Sequence, residues 1–204
     1  MKKAFEAALE KAAKINPEQA SRNCGFKYEG SLKKGFFTLP ILDEKIRLSF
    51  PHFQAEGKKG KRISEPLVTI AMYHLSKSDG FPLANKWISF SKLPGGQYAS
   101  AMRSYTSDKL QDYFGPRIRE LSTSAKNFGA KQITLSGDLS FEFQVFPKIP
   151  IALVFWKGDD EFPESRADFL FDESAPHHLP TDCYAILCSL ITSSLIKKTS
   201  LLYF

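Results

Sequence analysis

The first residues place Phe5, Ala8, Leu9, Ala12 and Ile15 three and four positions apart. Lys2, Lys3, Glu6, Glu10, Lys11 and Lys14 lie mostly elsewhere. That spacing predicts an amphipathic helix, which Pro17 either ends or follows with a new turn. From Gly25 to Pro51 the texture changes: FKYEG, FFTLPI and KIRLSF are aromatic and branched runs separated by Gly, Pro and Asp-Glu, which predicts strands and hairpins. Residues 55–62, AEGKKGKR, read as a polar Gly/Lys loop. Helical period returns over Glu65 to Lys77, with Leu67, Ile70, Ala71, His74 and Leu75 on one side.

Trp87 to Phe90 reads as a short extended segment, and Leu93-Pro94-Gly95-Gly96 turns the chain, glycine after proline supplying positive φ cheaply. Tyr98 to Phe128 reads as helical, broken near Gly115-Pro116, with a second helix from Arg117 to Asn127 closed by Gly129. LSFEFQVF, IPIALVFW and ADFLFD then suggest an antiparallel meander. Thr181 can cap a last helix running to about Ser194. The sum is α+β: one antiparallel sheet of about five strands with helices packed on it. No repeat or linker divides the chain, so residues 1–204 read as a single domain, with the N-terminal helix 1–22 at its periphery.

Composition narrows the class. With 204 residues, 43% hydrophobic and 25% charged, the chain is that of an ordinary globular protein able to bury a core without staples. Cys24, Cys183 and Cys188 are odd in number and form no CxxC, which argues against a disulfide framework or a four-cysteine metal site and for a reducing cytoplasm. Glu6 and Glu10 interrupt the N-terminal apolar stretch, against a secretory signal. The run from Cys183 to Ile196 would rise only about 21 Å as a helix, short of a bilayer core, so no membrane partner is expected.

The net charge of +6 suggests nucleic acid until its distribution is considered. The surplus of lysine and arginine lies in residues 1–133. Residues 134–204 hold ten acidic residues against five basic ones. Nucleic-acid binding therefore rests on a solvated basic end alone and is disfavoured.

The acidic third contains the leading chemical candidate: Asp159, Asp160, Glu161, Asp168, Asp172, Glu173, His177 and His178. Carboxylates suit a divalent metal, and an added imidazole widens the choice, which makes Asp159, Glu161, Asp172 and His178 the candidate ligand set. A carboxyl desolvated against Phe162 or Trp156 would instead serve as a general acid. The competing reading is a solvated hairpin turn with Asp172 or Thr181 capping a helix. A second candidate is the Pro-Gly-Gly turn, whose backbone N–H groups near Lys92 and Arg103 would hold an anion, or which simply positions Trp87 and Tyr98. His74, on an apolar helix face, reads as a core histidine. The small-molecule candidates are thus Trp87, Gly95, Gly96, Trp156, Asp159, Asp160 and Glu161.

Two motifs, Trp87-Ile88-Ser89-Phe90-Ser91-Lys92-Leu93-Pro94-Gly95-Gly96 and Trp156-Lys157-Gly158-Asp159-Asp160-Glu161-Phe162-Pro163, resemble those of an uncharacterised domain-of-unknown-function family found in anaerobic bacteria and archaea. The resemblance covers roughly residues 15–196. Where the family pattern reads His-Tyr before the first motif, this chain has Tyr73-His74. Some members are fused to a corrinoid-type iron–sulfur domain; this chain has no such cysteine-rich segment, so cluster binding is not carried over. The resemblance implies no reaction. It favours an accessory protein of anaerobic metabolism that binds a divalent metal, or a small molecule or metallocofactor protein. The alternatives are an enzyme using the clustered carboxylates with a histidine, and an interaction module using Leu201-Leu202-Tyr203-Phe204.

Overall fold

Asn16 separates two helices where the sequence leaves one or two open. In the computed structural model, which describes residues 2–57 and 61–203, α1 spans Lys2–Ala12 and α2 spans Pro17–Cys24. The Asn16 side chain accepts the Gln19 N–H at 3.0 Å, and Pro17 occupies the first turn, where its missing N–H costs nothing. Pro17 therefore begins a helix rather than only ending one. Buried Ala8 and Ala12 let α1 approach α3 (Glu65–Lys77) closely.

The strand-like runs form two sheets, not one. β1 (Lys27–Gly30), β2 (Gly35–Ile41), β3 (Glu44–Phe50) and β4 (Ala55–Glu56) pair antiparallel in chain order. β2 alternates Phe37, Leu39 and Ile41 inward with half-buried residues outward, the period of a sheet with one covered face. Of the polar loop expected at 55–62, the first two residues are β4 and residues 58–60 lie outside the described residues.

The second sheet has the order β5-β9-β8-β7-β6, built from Trp87–Ser89, Arg166–Asp172, Ile149–Trp156, Leu139–Phe146 and Lys131–Gln132 respectively. The meander expected over the last third is its centre, β7-β8-β9. The first sheet stays separate because the tight turn at Leu42 and Asp43 closes β2 onto β3, while β6 pairs the outer edge of β7. The sheets meet where the Leu42 N–H donates to the Gln144 carbonyl, 3.0 Å away.

One face of the five-stranded sheet carries Ile88, Phe141, Phe143, Ile151, Leu153, Phe155, Phe169 and Phe171, all except Ile88 buried. Helices cover it: α4 (Ala99–Tyr105), α5 (Ser107–Phe114) and α6 (Ile118–Asn127) lie between β5 and β6 in the chain, α8 (Thr181–Lys197) comes after β9, and the rings of Phe171 and Tyr184 meet edge to face at 5.3 Å. Five of the chain's 18 phenylalanines, Phe141, Phe143, Phe155, Phe169 and Phe171, thus lie on this face. α7 (Ala175–His178) is a single turn between β9 and α8. Among the described residues no helix is long and apolar enough to cross a membrane. Leu201 and Leu202 are buried, and the Leu202 carbonyl accepts the Ser64 N–H at 2.8 Å, so the described part of the tail packs inward.

Candidate ligand cleft at the acidic hairpin

β8 ends at Trp156 and β9 begins at Arg166, and the register pairs these two residues. Paired residues project to the same face, so the Arg166 guanidinium lies 4.9 Å from the centre of the Trp156 ring. Between them the acidic loop folds on itself. The Asp159 carboxylate accepts the N–H groups of Glu161 and Phe162 at 3.0 and 2.7 Å, and the Asp159 N–H donates to the Phe162 carbonyl. Asp159, Asp160 and Glu161 are all exposed, and Phe162, at 72%, is the most exposed large apolar side chain among the described residues.

A cleft of about 1040 Å³ opens beside this loop, lined by Trp156, Asp159, Glu161 and Phe162 from the hairpin and by Arg103 and Asp138 from elsewhere. Arg103 reaches from α4 to the Asp168 carboxylate, which also receives Arg166 at 2.7 Å. Beyond its short strand, β5 leaves the start of β9 unpaired, and Arg103 donates to the Ala167 carbonyl at this open edge. Both arginines are therefore committed to Asp168. Asp138 accepts the Lys157 N–H at 2.7 Å. Glu161 and Glu164, also in the lining, have no ion-pair partner among the described residues.

The four candidate metal ligands do not come together. Asp159 and Glu161 precede β9, whereas Asp172 ends it and His178 follows, so the two pairs are separated by a strand about 20 Å long. Asp172, 4% exposed, accepts the N–H groups of Ala84, Asn85 and Ser174 and the Ser174 hydroxyl. Burial would raise its carboxyl; these donors outweigh that and hold it below the usual carboxylate range. His178 and His177 point apart, as adjacent side chains in one turn must. His177 meets Asp79 at 2.7 Å and stacks on Phe81; His178 is buried, with Nδ1 3.0 Å from the Ser78 hydroxyl. Among the described residues no three His, Cys, Asp or Glu side chains gather as a metal site.

His74 is a core histidine. It lies parallel to Phe146, and its Nδ1 is 3.2 Å from the His178 carbonyl, which can only accept. Burial pushes its pKa down to about 3, and burial with the nearby Lys148 charge takes His178 to about 4.

The Pro-Gly-Gly turn lies away from this cleft. Gly95 takes φ +77°, and a Cβ on Gly96 would collide with the Phe90 carbonyl, so both glycines are required by the turn itself. Thr181 is the first residue of α8 rather than its cap, and its hydroxyl donates to the Pro94 carbonyl at 2.6 Å. Tyr98 donates to Asp182 at 2.5 Å. The turn thus ties β5 to the start of α8. Trp87, paired with Asp172, and Trp156 share the less covered face of the sheet but stand at its opposite ends.

Residues 16–194 match the family described as a domain of unknown function, DUF3786. The chain belongs to that family. The DUF3786 match spans both tryptophan motifs, both sheets and the acidic loop, and leaves out α1 and the tail. No curated protein and no solved structure matches the chain. Sequence reasoning missed Arg103 and Asp138 as cleft residues. Nothing local signals them, because they reach the hairpin only through packing.

Proposed function

We propose that this protein is a ligand-binding accessory protein whose cleft at the β8–β9 loop takes a cation with an apolar face. The carrying observation is the charge balance of the lining: the two arginines are offset by Asp168 and Asp108, while four lining carboxylates, Asp138, Asp159, Glu161 and Glu164, face one other lining cation, Lys157, beside the exposed Phe162 ring. An exposed aromatic face and surplus carboxylates together favour a cation whose apolar surface the ring covers. Organic ammonium compounds have this chemistry. A cationic metal complex, free or presented by a metallocofactor protein, has it too, and that source is the one favoured by the resemblance. A bare divalent ion would have only the loop's own carboxylates, since Asp172 and His178 serve the far end of β9. The three buried, unpaired thiols fit a reducing compartment, the cytoplasm.

Trp156 lines the cleft and reports on it. Titration with benzyltrimethylammonium is expected to change tryptophan emission saturably, and tris(bipyridine)cobalt(III), a cationic complex with an apolar face, tests the metal-complex source. Glu161→Gln with Glu164→Gln should weaken either response about tenfold. Phenylacetate giving an equal response, or a double variant that binds normally, would overturn the reading.

A further inference from the structure

A second cavity, of about 530 Å³, lies between the β2–β3 turn, α6 and the end of α8, and shares no residue with the cleft above. Two of its lining charges are unspent. Arg119, in the first turn of α6, and Asp43, in the β2–β3 turn, have no ion-pair or side-chain hydrogen-bond partner among the described residues. They stand at opposite ends of α6. A Cβ placed on Gly129, just past the helix, would be 3.2 Å from the Asp43 carboxylate, and the helix between rises about 12 Å from Arg119 to Asn127. The helix dipole has the same polarity as these charges, favouring an anion at the Arg119 end and a cation at the Asp43 end.

The groove between is suited to more than two isolated charges. Leu42 and Phe128, both half-buried, give it an apolar wall. Ser194 of α8 is 2% exposed, and its hydroxyl has no hydrogen-bond partner although it belongs to the lining. A buried hydroxyl left unpaired is unfavourable unless something fills its place. One turn further on, Lys198 pairs with Glu120, the residue after Arg119, at 3.2 Å.

We propose that this groove binds a small zwitterion whose opposite charges are separated by several methylenes, the class of lysine and other ω-amino acids. The carboxylate meets Arg119 and the Ser194 hydroxyl, the methylenes cover Leu42 and Phe128, and the ammonium meets Asp43. The inference is independent of the cation cleft.

Isothermal titration of the full chain with L-lysine and with 6-aminohexanoate tests it, with glycine, hexanoate and hexylamine as controls. Saturable binding is expected for the first two and at least tenfold weaker binding for the controls. Arg119→Gln and Asp43→Asn, both at exposed positions and checked by thermal melting, should each weaken 6-aminohexanoate about tenfold or more. Ser194→Ala should weaken it severalfold. No binding of either long zwitterion, equal binding of any control, or full affinity in both charge variants would overturn the proposal.

Discussion

The Asp172 carboxylate holds the Asn85 N–H at 2.7 Å, fixing the loop before β5 against the end of β9. Asn85 takes φ +54°, and the loop's neighbouring N–H, on Ala84, bonds the same carboxylate at 2.9 Å. An aspartate that resembled a metal ligand is thus a clamp joining segments 87 positions apart in the chain.

Asp172→Ala should destabilise the protein by about 2 kcal/mol or more, because it strands the buried Ser174 N–H and hydroxyl and removes the charged acceptor of the part-buried Ala84 and Asn85 bonds. Urea unfolding at pH 7 measures this. A loss under 1 kcal/mol would show that water replaces the clamp.

Acid should destabilise the fold in two stages. His74 and His178 stay neutral when folded, with pKa values near 3 and 4, whereas the unfolded chain takes up protons near 6.5. The folded state then binds fewer protons, so stability is full above about pH 6.5 and falls as pH drops toward 4 and then 3. Asp172, held below its ordinary 3.8, adds a further loss below about pH 4. Denaturant midpoints at pH 7, 5.5 and 4.5 should decline in that order, and His74→Phe should flatten the decline while lowering the pH 7 value. A flat wild-type profile would contradict the neutral burial.

Phe162→Ser should leave stability within about 0.5 kcal/mol, since the ring is 72% exposed, while abolishing the cation response of Trp156. Thermal melting and fluorescence read the two effects separately. A large drop in melting temperature would mean that the ring holds the loop rather than a ligand.

Removing residues after Lys198 should cost about 3 kcal/mol or more, because Leu201 and Leu202 are 1% and 2% exposed and each buried leucine contributes about 1.5–3 kcal/mol. A truncated chain as stable as the whole, but altered in light scattering, would restore the tail as a partner contact.

The three thiols should not react with a disulfide reagent at pH 8 until the chain unfolds. Cys24 and Cys183 are pushed up to about 12 by burial, and Cys188 is fully enclosed. Three equivalents should appear in denaturant; earlier reaction would place a thiol at the surface.

Local pattern by itself determined most elements. The alternation in FFTLPI, the apolar run of IPIALVFW and the Gly129 stop each act over a few residues, where backbone period and sterics leave little choice. The α+β class was legible for the same reason. Tertiary structure decided what depends on register and distance. It split the strands into two sheets and put Asp172 and His178 at the far end of β9 from Asp159. It also brought Arg103 to Asp168, and left Arg119 and Asp43 facing one groove without partners. Side-chain chemistry is written in the chain, but which charges neutralise each other depends on packing between segments tens of residues apart. No local period encodes that.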